Sequence, residues 1–251
     1  MSSFTVNKAA GSALMTGVLL WFTVSVLSPG AISDELVEQG DFFRQQLLPW
    51  VENSGLTHVM TMLTMLSAAL QAFGFYYLLR LPRQPGVADF ALRFGVLATI
   101  SGWVVLIIAM GIRHMIVHVL THGIEPAMPE AARLDVGLTL YAAHVGVIFG
   151  FFALGAIGSF IVGLALAARF RGLLHIRVAG YGIVATGIGQ VINLVFIEHL
   201  HDVDFGVLAT ASTVLLGLGG LWLFIVGYGI FRGHGEFTRI PDPDSGPARV
   251  S

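Results

Sequence analysis

Six stretches of this sequence stay apolar long enough to cross a lipid bilayer, and no other feature limits the fold so strongly. They cover residues 9–32, 56–79, 90–120, 136–168, 178–200 and 205–231. A helix spans the hydrocarbon core with about 20 predominantly apolar residues. Only 11% of the 251 residues are charged, against about 25% in a soluble domain. Thirteen Lys and Arg with fifteen Asp and Glu cannot wet the surface of a globule this large. The sequence therefore predicts an all-α polytopic membrane protein, a single bundle of six transmembrane helices. It excludes a soluble enzyme, a nucleic-acid binder and a disordered chain. The expected partner is the lipid bilayer, and the sequence is compatible with further membrane subunits or a homo-oligomer.

The apolar run after Lys8 has the flanks of a secretory signal, but signal cores are only about 7–15 residues long. It is expected to be a retained helix. Basic residues near helix ends set orientation. With the N-terminus inside, the inner side holds Lys8, Arg80, Arg83, Arg93, Arg169, Arg171, Arg177, Arg232, Arg239 and Arg249, and the outer side Arg44, Arg113 and Arg133. This bias predicts cytoplasmic termini in a bacterial inner membrane. Residues 33–55 mix acids with Phe42, Phe43, Leu47, Leu48 and Trp50. Such a segment lies on a membrane surface or covers a site beneath it. The tail, 233–251, carries Pro, Asp and Gly and is expected to be flexible and cytoplasmic. Gly155, Gly158 and Gly163 are expected to form a helix-packing seam.

The chain has no cysteine and nine histidines. That removes iron–sulfur clusters, thiolate metal sites, covalently attached haem and disulfides. Depth can be counted from the inner arginines. His58 precedes Arg80 by 22 residues, His114 follows Arg93 by 21, His144 precedes Arg169 by 25, and His199 follows Arg177 by 22. At 1.5 Å per residue these lie roughly 32–38 Å from the inner boundary, near the outer edge of a core about 30 Å thick. His118, His122 and His201 come just beyond, whereas His175 and His234 fall on the inner side. Four helices thus deliver a histidine to one level, which predicts a metal or haem site toward the outer face.

Local spacing suggests ligand sets. His114 and His118, four apart, share a helix face and can grip one ion. Glu198 and His201 have the Glu-x-x-His spacing of carboxylate-bridged dimetal sites. The expected metal ligands are His58, His114, His118, His144, Glu198 and His201, for iron, copper or zinc. A b-type haem would draw on His58, His144 and His199. Arg113 would then meet a propionate or an anionic lipid, or else pair with Glu125, Asp135 or Glu198. Gln190 and Asn193 read equally as partners of ligand histidines or as helix-to-helix hydrogen bonds. Met62, Met65 and Met110 follow the histidine faces, and read chiefly as packing.

The lone His58, with His199 and His201 ending the fifth helix, is similar to the haem-ligand arrangement of heme-copper oxidases, where one helix carries one His and another carries two. The resemblance implies haem iron at those positions alone. This chain has half the helices of that family's catalytic subunit and lacks its copper-site pattern. The wide His pairing of diheme cytochromes b and the His-x-x-His-His boxes of membrane desaturases are also missing. Three classes follow: a haem or metal redox protein, a non-haem membrane metalloenzyme, and a non-catalytic accessory subunit or transporter. Polar groups in the helix middles are few, chiefly Gln71, Ser101, Ser159 and Gln190, so no solute pathway is evident. The sequence names no catalytic residue.

Overall fold

The computed structural model describes residues 5–29, 42–199, 205–233 and 237. Side chains are described for 5–29, 47–195, 211–212, 214–233 and 237. The helices are α1 (Val6–Leu27), α2 (Phe42–Glu52), α3 (Ser54–Tyr76), α4 (Val87–His122), α5 (Glu130–Arg169), α6 (Leu174–His199) and α7 (Phe205–Arg232). A 3-10 turn, Tyr77–Arg80, extends α3. Every helix except α2 is long and apolar enough to cross a membrane, and the described residues include no strand.

Two helix ends show how the sequence sets the boundaries. The first helix stops at Leu27, short of the expected residue 32. Ser28, extended at φ −68° and ψ 131°, precedes Pro29, and proline disfavours a helical residue before it. The fourth stops at Gly123, whose φ of +77° suits glycine alone among common residues. Its N–H closes onto the Val119 carbonyl at 2.8 Å. Arg133 then pins the following loop, donating to the Thr121 and Met128 carbonyls.

The six long helices form a ring. Each packs chiefly on its neighbours in the chain order α1, α3, α4, α5, α6, α7, and α7 returns to α1. Glycines permit the close approaches. A Cβ on Gly163 would sit 2.5 Å from the Gly180 carbonyl, and one on Gly180 would sit 2.7 Å from the Gly163 carbonyl. Gly95 and Gly158 bring α4 and α5 together in the same way. Gly155, expected in that seam, differs: a Cβ there would meet nothing within 4 Å, because it borders a cavity inside the ring. Large apolar side chains such as Leu66, Phe73, Phe94, Ile108 and Val191 remain exposed around the outside. So broad an apolar exterior fits lipid rather than water.

The two ends of the ring differ. At one end Asp89, 8% exposed, takes Arg169 at 2.6 Å and Arg93 at 2.8 Å. The same arginines donate to the Leu79, Leu81 and Pro82 carbonyls. This node fastens the ends of α3, α4 and α5. At the other end α2 lies over α3, α4 and α5, burying Leu47 and Trp50 against Ile116, Val117 and Tyr141.

Candidate functional site

The end covered by α2 gathers the histidines of α3, α4 and α5. His58 stands one turn into α3 and His114 two turns before the end of α4. Their rings meet across the helix seam, with Nδ1 2.9 Å from Nδ1 and ring centroids 4.3 Å apart. One Nδ1 donates and the other accepts. His118 does not join His114 on a shared partner. Its ring stacks on His122 at 5.2 Å, and His122 Nδ1 is 2.7 Å from the Thr121 hydroxyl. His118 and His122 are exposed and lie within electrostatic range of His58.

His144 sits apart from this pair, in a second cluster under α2. It is 7% exposed, and its Nδ1 lies 2.9 Å from the Ala109 carbonyl. A carbonyl only accepts, so Nδ1 carries the proton and Nε2 presents a lone pair. The ring meets the edge of Trp50 at 5.8 Å and Tyr141 at 6.1 Å. Trp50 is fixed by its indole N–H to the Pro29 carbonyl at 3.1 Å. Its own carbonyl accepts from the Thr57 hydroxyl at 3.1 Å. The amphipathic segment expected to float on the membrane or cover a site is therefore seated, over its described part, on His144.

Arg113 belongs to the same cluster. It is 8% exposed and stacks on Trp50, with the guanidinium carbon 4.3 Å from the ring centroid. Nη2 donates to the Ser28 hydroxyl at 2.9 Å, and Nε has no hydrogen-bond partner. No ion pair to Glu125 or Asp135 forms among the described residues. Sequence reasoning missed both Ser28 and Trp50 as partners of this charge. Trp50 carried a signal, as the aromatic residue that closes the apolar set of the 33–55 segment, six residues before the second spanning run.

The remaining expected ligands fall elsewhere. The side chains of Glu198 and His199, and His201 entirely, lie outside the described residues. Helix α6, which ends with the first two, stands across the ring from α3. Among the described residues no group of three or more His, Asp or Glu is arranged to hold a metal ion. What the fold does bring together across a helix seam, among the described residues, is the His58–His114 pair. The methionines divide. Met110 is buried in the core and Met65 packs against it, while Met62 faces outward at 56% exposure. Gln190 and Asn193 follow the packing alternative. Gln190 Nε2 donates to the Ser212 carbonyl at 3.1 Å, and Asn193 Nδ2 bonds the Ser212 hydroxyl, so both tie α6 to α7.

Compared with known proteins, the chain matches no family model, no curated protein and no solved structure.

Proposed function

We propose that this is an integral membrane protein of a bacterial inner membrane, with both termini cytoplasmic, that binds a redox-active transition metal at its outer face. The ligands are His58 and His114. The observation that carries the reading is their Nδ1–Nδ1 separation of 2.9 Å. Two nitrogens bound at about 2.05 Å stand about 2.9 Å apart on adjacent corners of a square or octahedron, and about 3.3 Å apart on a tetrahedron. A separation of 2.9 Å is also that of the direct hydrogen bond between the two rings, so it marks the pair as close enough to share one metal and does not choose among copper, iron and zinc. Two protein ligands leave open positions for water, a small substrate or an electron partner. A site of this kind exchanges its metal readily.

A second reading rests on His144. Its Nδ1–H is held by a backbone carbonyl, the usual way to orient a ligating imidazole, so Nε2 is the nitrogen that would ligate haem iron. Arg113 beside it, with one N–H unused, would meet a propionate.

One preparation separates the readings. The protein is purified without chelator, its metals are measured, and its absorption spectrum is recorded. About one copper or iron per chain without a Soret band supports the His58–His114 site. A Soret band lost in His144→Ala transfers the function to haem. A protein with neither metal nor Soret band, which also fails to take up added Cu(II), contradicts both.

A further inference from the structure

The ring encloses a cavity that none of the histidines touches. Its volume is about 90 Å³, and it is bordered by all six long helices. Its polar side chains are spread along the chain: Gln71 on α3, Thr99 on α4, Ser159 on α5, and Thr186 and Gln190 on α6. Three of the four polar exceptions in the helix middles thus converge on one space, and Ser101 alone is exposed elsewhere. Counting from Arg93, Arg80, Arg169 and Arg177, these side chains lie roughly 9–20 Å from the inner boundary. That is the middle of a core about 30 Å thick.

The walls are otherwise aromatic and apolar, with Trp21, Trp103 and Phe151 among them. Gln190 is 6% exposed, and its Oε1 has no hydrogen-bond partner. Its Nε2 is already committed to the Ser212 carbonyl, which orients the amide. A buried acceptor without a donor is costly, and in a hydrocarbon setting water is scarce. A largely apolar, mostly pre-formed cavity with a few placed polar groups is the common form of a small-molecule site.

We propose that this cavity binds a lipid-soluble aromatic alcohol, a phenol-type ring that stacks among the tryptophans and donates its O–H to Gln190 Oε1. Only a donor satisfies that atom, so an ether of the same ring is rejected. The position in the middle of the bilayer means that the ligand arrives dissolved in lipid. This site is separate from the histidine pair and does not depend on it.

The probes are phenol and anisole, single rings matched to the cavity, measured by equilibrium dialysis against the full chain in micelles, with empty micelles subtracted. Wild type is expected to bind phenol saturably, and about fivefold to tenfold more tightly than the ether. In Gln190→Leu the two probes bind alike, and retained binding of the ether shows that the cavity is intact. Gly155→Leu projects into the cavity, where a Cβ meets nothing within 4 Å, and removes binding of both. Four results would each overturn the proposal: no saturable binding to wild type, equal affinities there, an unchanged preference in Gln190→Leu, or undiminished binding in Gly155→Leu.

Discussion

Arg113 brings a full charge into a membrane-spanning helix, where an unpaired cation costs several kcal/mol. The structure answers it with the face of Trp50 rather than a carboxylate. At 4.3 Å and shielded from water, that contact contributes about 2 kcal/mol. Trp50→Leu is therefore expected to lower unfolding stability in micelles by about 2 kcal/mol, and Trp50→Phe, which keeps a π face, by roughly half of that. Equal losses in the two variants would show that Trp50 acts by apolar burial alone. The same residue buries the ring of His144, so one side chain seats α2, screens a charge and dries an imidazole. His58 and His114 differ in kind. They are half-buried at a helix seam, where their Nδ1 atoms satisfy each other.

Among the elements, the spanning helices were legible because their signal is composition over a long run, which packing does not alter. Their ends were less so. Pro29 was visible in the sequence, but its power to stop α1 at Leu27 competes with apolar residues beyond it. The Asp89 node was hidden for another reason. Arg93 and Arg169 read as inner-boundary markers, and only the fold brings both to one carboxylate 80 residues from Arg169. Asp89→Ala leaves Arg169, whose side chain is 4% exposed, buried without its anion. The expected cost is about 3–5 kcal/mol in denaturant unfolding. The exposed Arg83→Ala should stay within about 0.5 kcal/mol. A loss near that of the control would mean that the backbone carbonyls alone hold the arginines.

At the scale of the whole molecule, depth counting succeeded where azimuth could not be read. The count from the arginines brought His58 and His114 to one level, and the fold joins them. It brought His144 to the same level, yet the fold turns that ring toward Ala109 and α2. It gave no warning that α6 stands across the ring from α3. Ring order depends on which helix faces pack, and the glycine contacts that decide it, such as Gly163 on Gly180, have no partner label in a single sequence. The same blindness hid the cavity: Gln71, Ser159 and Gln190 looked like isolated exceptions because the space between their helices exists only once the ring closes.

The central claim is that His58 and His114 jointly ligate a transition metal, and copper electron paramagnetic resonance tests it most directly. One equivalent of Cu(II) added to the purified protein should give a tetragonal signal with hyperfine structure from two imidazole nitrogens. His58→Ala and His114→Ala should each reduce that structure to one nitrogen and weaken binding by about tenfold to a hundredfold, while His122→Ala leaves it unchanged. A signal without imidazole coupling, or one indifferent to both His58→Ala and His114→Ala, would contradict the account.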